Sequence, residues 1–121
     1  MKTTCSVAVF HVHDFEAALT YYRDILGFEP DFKHERYAGL KMGEGGFLHL
    51  TALGTRPAGM GSAYFFCDEV DGYYEEIRQK GALLRNQPQD YPYGMRDFTV
   101  ADHDGNNLTF GRPTGASPEG K

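Results

Sequence analysis

Apolar and polar positions follow one order twice along this chain. An apolar run over residues 6–12 leads to Asp14, and then Phe15, Ala18, Leu19, Tyr22, Ile25 and Leu26 recur at helical spacing. These six line one face of a helix. Asp14 is placed to accept hydrogen bonds from the first free N–H groups, and Gly27 to close the helix in the left-handed conformation. The plan returns 54 residues later, with an apolar run over 62–67, Asp68 or Asp71 as the cap, a face of Val70, Tyr73, Tyr74 and Ile77, and Gly81 at the end. The Asp-to-Gly spacing, Asp14 to Gly27 and Asp68 to Gly81, is 13 residues in both copies.

Strand patterns follow each helix, at about 29–35, 37–42 and 47–52, and again at 82–85, 97–101 and 107–111. Gly43-Glu44-Gly45-Gly46 leads into a strand rather than a helix. A tight turn therefore explains it better than a phosphate cradle. Asp104-Gly105 predicts a two-residue hairpin turn. Residues 87–94, with two prolines and two tyrosines, read as a loop. This predicts a first module over 1–54, a linker over 55–61, a second module over 62–113 and a disordered tail over 114–121. The fold class is α+β: two βαβββ modules, each sheet covered on one face by its own helix, with the opposite faces curving around a cleft.

The 121 residues carry a net charge of −5, which argues against a nucleic-acid partner. There is no Trp, but 8 Tyr and 9 Phe supply large flat surfaces. Cys5 and Cys67 sit in apolar runs and read as reduced strand thiols. The first residues lack the apolar core of a signal peptide, and no run is long enough to span a membrane. The expectation is a soluble, cytoplasmic protein with no membrane partner.

From residue 7 to 113 the chain resembles the vicinal oxygen chelate superfamily, which includes glyoxalase I, extradiol dioxygenases and bleomycin-resistance proteins. The carrying motif is Tyr93-Gly94-Met95-Arg96-Asp97-Phe98 followed by Asp102-His103-Asp104-Gly105-Asn106, with His103 where the family usually has Pro. Enzymes of that superfamily hold a divalent metal on residues from four strands and use it as a Lewis acid. Carried over, the four positions are Val7, His49, Ser62 and Thr109. One good donor in four predicts no metal and no cofactor. A three-His site, from His11 and His13 on one strand face with His49, is the alternative; His34 and His103 are further candidates.

Without a metal, the resemblance implies the bleomycin-resistance branch: a homodimer that sequesters a small aromatic molecule without chemistry. The stretch YRDILGFEPDFKHERYAGL is similar to those proteins, and the equivalents of their aromatic and small positions are Phe32, Tyr37, Ala38 and Gly39. Tyr93 is the residue that the resemblance sets against a flat ligand, and His11 falls where glyoxalases place a substrate-binding side chain. Rings on both sides of such a ligand add roughly 0.5–1.5 kcal/mol per pair beyond burial. Packing of loops by Phe32 and Tyr93 is the other reading. Strand parity and resemblance give the expected binding set: His11, Phe32, His49, Ser62, Tyr64, Tyr93, Arg96 and Thr109, with Val7, Val9, Thr51, Phe66, Phe98 and Asn107 beside them. Lys33, His34 and Arg36 near the cleft edge set this chain apart from an acidic, drug-binding cleft. A metal-independent lyase or isomerase, with His11 or His49 as general base, is the alternative function, as is a dioxygenase-like enzyme with atypical metal ligands. Cys67 reads as an inert thiol, Asp102 and Asp104 as turn formers, and Glu75 and Glu76 as a solvated face.

Overall fold

The computed structural model describes residues 1–115. The first module contains β1 (Ala8–His11), α1 (Phe15–Thr20) continuing through a π turn (Tyr21–Ile25), β2 (Glu29–His34), β3 (Tyr37–Met42) and β4 (Gly46–Thr51). The second contains β5 (Ser62–Phe66), α2 (Val70–Gln79), β6 (Leu83–Leu84), β7 (Gln89–Asp90), β8 (Met95–Ala101) and β9 (Asn107–Pro113). The N-terminal sheet has the order β1-β4-β3-β2 and the C-terminal sheet β5-β9-β8-β6, with β7 also on β8. In each, the first strand runs parallel to the last, and the other pairs are antiparallel. The α+β topology is therefore the same twice.

Local chemistry explains most of the elements. The Asp14 side chain accepts from the Ala17 amide at 3.1 Å and starts α1. Gly27 and Gly81 take positive φ, 84° and 90°, and close the two helices. Five expectations need correction. The first helix loosens into a π turn, marked by the Leu26 amide bonding to the Tyr21 carbonyl. Neither Asp68 nor Asp71 caps α2; its N-cap is Glu69 without a side-chain bond, and Asp71 instead pairs with Arg96. Part of the expected loop over 87–94 forms β7, because Gln89 and Asp90 pair with Asp97 and Arg96. Residues 102–106, not two residues, connect β8 to β9. Cys5 precedes β1 and Cys67 follows β5, so neither thiol lies in a strand. Of the expected tail, Thr114 donates its amide to the Gly94 carbonyl at 2.9 Å, and residues 116–121 lie outside the described ones.

The helix-facing sides of both sheets meet in one core. Phe10, Leu48 and Leu50 of the first module pack in the same cluster as Phe65, Phe98 and Phe110 of the second. The rings of Phe28 and Phe65 meet edge-on at 5.6 Å. Each such side chain contributes about 1.5–3 kcal/mol of burial.

A polar hub fastens the junction. One carboxylate oxygen of Asp102 accepts from the amides of Asp104 and Asn106, and the other from the Tyr22 hydroxyl and the Asn106 side-chain amide. Asn106 in turn accepts from the Gly61 amide and donates to the His11 carbonyl. The Asp-x-Asp-Gly-Asn motif thus folds its own loop and ties the second module to β1 and the linker. Turn chemistry does account for Asp102. Asp104 adds a bond of its own from the His13 amide. No helix among the described residues is long and apolar enough to cross a membrane.

Candidate functional site

Strand alternation divides each sheet into a helix-facing side and an outer side. In the N-terminal sheet Ala38, Leu40, Leu48 and Leu50 point inward and are fully buried. The outer side therefore carries Val9 and His11 of β1, His49 and Thr51 of β4, and Tyr37 and Gly39 of β3. The register sets Val9 beside His49, His49 beside Gly39, and Gly39 beside Phe32. A bulge between Pro30 and Phe32 breaks the β2 alternation and turns the Phe32 ring outward.

That ring lies across Gly39. A Cβ added at Gly39 would stand 2.2 Å from Phe32 Cε2, so only glycine lets the ring lie flat there. Phe32 stacks near Tyr37, with centroids 6.2 Å apart and planes 15° apart, and meets His49 edge-on at 5.2 Å. The Tyr37 hydroxyl is 2.9 Å from His49 Nδ1. The result is a three-ring patch with one imidazole in it.

The C-terminal sheet repeats the device with different chemistry. Phe98, Val100, Leu108 and Phe110 point inward, which leaves Asp97, Thr99, Thr109 and Gly111 outward. Tyr64 crosses Gly111, where a Cβ would stand 2.1 Å from the phenol oxygen. Its hydroxyl then donates to Asp97 Oδ2 at 2.8 Å, and Tyr93 donates to the same oxygen at 2.8 Å. Burial and the bond to Asp97 push both phenols up, Tyr93 to about 12. Phe66 tilts against Tyr64 at 5.2 Å, and Tyr91 stacks on Tyr93 at 5.2 Å. Four of these rings are open to solvent: Phe32 at 45%, Tyr64 at 41%, Phe66 at 75% and Tyr93 at 50%.

Tyr64 and Phe66 also line a groove of about 750 Å³ bounded by Ser6, Ala8 and the glycine turn of residues 43–46. A second groove, about 500 Å³, is formed by Val9, His11, Arg56, Pro57, Met60 and Gly61. The Nδ1 atom of His11 is buried without a hydrogen-bond partner among the described residues.

A model of the Glyoxalase/Bleomycin resistance protein/Dioxygenase superfamily matches residues 6–110. The chain belongs to this superfamily. A glyoxalase/bleomycin resistance protein of Catenulispora acidiphila is 31% identical, with 91% of this chain and 98% of that one covered and a TM-score of 0.75. The bleomycin-binding protein of Streptomyces verticillus, solved with copper(II)-bleomycin, is 27% identical, with coverages of 91% and 96% and a TM-score of 0.76. An antibiotic-binding protein of Streptomyces sp. CB03234 shares the fold at 22% identity, with coverages of 93% and 97% and a TM-score of 0.79. No curated protein matches the chain in sequence.

The superfamily's metal does not fit the residues present. Val7 and His49 belong to the N-terminal sheet side, Ser62 and Thr109 to the C-terminal one. Only His49 is a strong donor, and its Nδ1 faces Tyr37. The Thr109 hydroxyl is 2.7 Å from that of Thr99. Among the described residues no three His, Cys, Asp or Glu side chains gather as a ligand set. The three-His alternative fails for a local reason: β1 ends at His11, so His13 is off the strand and exposed. His34 is also exposed, and His103 packs against Tyr21 at 4.7 Å.

Of the expected binding set, His11, Phe32, His49, Tyr64, Tyr93 and Thr109 are on outer faces, with Ser62 exposed at the start of β5. Arg96 is not. It shares the inner side with Phe98, and its guanidinium bonds Asp71 and Asp90. Phe98, also expected in the cleft, is fully buried against Phe110, Tyr73 and Tyr74. Asp97, one residue from the expected parity of β8, holds the outward position. The signal was present: Phe98 and Val100 are the apolar alternates of β8, so Asp97 and Thr99 must face out. Lys33, expected at the cleft edge, reaches the helix side instead, to Glu16 and over the Phe15 ring. Burial, then Asp68, raises the Cys67 thiol, which suits an inert residue.

Proposed function

We propose that the chain is a metal-free binding protein that holds a flat aromatic small molecule, an antibiotic or a planar metabolite, and acts by sequestration. A homodimer sets the outer face of each N-terminal sheet against the outer face of a C-terminal sheet in the second copy. The single observation that carries this reading is the pair of aromatic patches on the outer faces. Large rings are normally buried, and here four are held open, two of them over a glycine that keeps the ring flat. A flat ligand between two such patches buries its own faces and gains stacking with each. The 27% identity to a bleomycin-binding protein supports the same class of ligand.

Acridine, a neutral flat heteroaromatic, tests this. Titration calorimetry is expected to show saturable binding, with native mass spectrometry giving two chains per complex. Phe32→Ala and Phe66→Ala should each weaken binding about two- to tenfold, the value of one stacked pair. Chromatography should recover the ligand unchanged. Absence of binding overturns the reading, and a turned-over product moves the protein to an enzyme with His49 or His11 as base.

A further inference from the structure

We propose that the outer face of the C-terminal sheet is a subsite for a positively charged, hydrogen-bond-donating group on the flat ligand, built from Asp97, Tyr64, Tyr93 and Phe66. The inference rests on the ligand class proposed above and specifies its charge.

Asp97 is 4% exposed, yet none of the ion pairs among the described residues includes it. The basic residues of its own and the neighbouring strand face the other way. Arg96 is held by Asp71 and Asp90, and Arg112 bonds the Pro113 carbonyl. Among the described residues, two phenols donate to the carboxylate, both to one oxygen. A phenol has one proton, and each has committed it to Asp97. The two phenol oxygens therefore offer only lone pairs to a ligand. They are acceptors backed by a buried negative charge, which favours an N–H donor carrying positive charge.

The surrounding rings act in the same direction. Phe66 is the most exposed of them at 75%, and the Tyr91–Tyr93 stack is parallel to within 5°. Ring faces are the negative part of the aromatic quadrupole and attract a cation. The corresponding patch on the N-terminal sheet has Phe32, Tyr37 and His49, and its hydrogen bond runs between the Tyr37 hydroxyl and the imidazole instead of to a carboxylate. A cationic ligand is thus oriented, charged end to the C-terminal sheet.

The test compares three acridines that differ in charge: 9-aminoacridine as cation, acridine as neutral form and acridine-9-carboxylate as anion. The native chain should bind the cation roughly tenfold more tightly than acridine, and the anion more weakly than either. Asp97→Asn should abolish the preference while keeping acridine binding. Tyr64→Phe with Tyr93→Phe, which keeps the rings and removes the acceptors, should reduce it and decides the matter if Asp97→Asn does not fold. Equal binding of all three, or a preference that survives both variants, overturns the subsite and leaves the flat-ligand reading intact. Failure of every acridine to bind overturns both.

Discussion

Two carboxylates, Asp102 and Asp97, make instructive neighbours. Both are nearly sealed, at 3% and 4% exposure, and both receive tyrosine hydroxyls at 2.8 Å. Their donors differ. Tyr22, which serves Asp102, is fully buried, and the remaining partners of Asp102 are amides of its own loop. Tyr64 and Tyr93, which serve Asp97, are 41% and 50% exposed. The same bond is therefore a lock between modules in one place and part of an open surface in the other. Exposure of the donor, not of the carboxylate, separates a structural network from one that can meet a ligand.

The sharpest way to break this contrast is Asp102→Ala. It strips an acceptor from four donors at a buried junction and should cost about 3–5 kcal/mol in urea unfolding. A loss below about 1 kcal/mol would mean that the junction is not held by the hub. Asp97→Asn should cost only about 1 kcal/mol, because the side-chain carbonyl still accepts from a phenol and the donors reach water. Its effect belongs in ligand binding rather than in stability, and a loss matching that of Asp102→Ala would erase the distinction.

Gly39→Val sharpens the comparison on the other sheet. The new side chain displaces the Phe32 ring without touching the core, so acridine affinity should fall by about two- to tenfold. Circular dichroism should report a nearly unchanged fold; global unfolding would show that Phe32 is a packing residue after all.

The smallest effect is with alkali. Tyr93 is held up at about 12 by burial and by its bond to Asp97, whereas a free phenol titrates near 10. Its contribution is complete below pH 10. Above that the unfolded chain loses the proton first, so stability falls as pH rises toward 12. Ultraviolet titration should find Tyr93 ionising in the folded chain. Tyr22, raised by burial and by Asp102, should ionise only as the chain unfolds. Tyr93→Phe should take one phenol out of the folded-chain titration and leave the unfolding-coupled rise.

Much of this was legible along the chain. The 54-residue repeat, the Asp14 cap, the two closing glycines and the apolar stripes of the helices are local chemistry. They require only neighbours three or four residues apart. Family membership was also legible, because the Asp-x-Asp-Gly-Asn loop organises itself largely through its own amides. The outward placing of Tyr64 was within reach of strand parity, and that of Phe32 of resemblance. Three things were not. The bulge that turns Phe32 depends on pairing with β3. The partner that Arg96 meets on the inner side, Asp71, lies 25 residues away on α2. The role of Asp97 depends on two tyrosines from β5 and from the turn before β8.

Period and spacing within this sequence determined its elements, their order and the repeated fold, since those follow from bonds between near neighbours. Which phenol reaches which carboxylate, and which acid meets Arg96, were decided only once distant elements came into contact. Alternation in β8 sets Asp97 outward and Arg96 inward, but no local rule of spacing says that Tyr64 and Tyr93 meet the one and Asp71 the other.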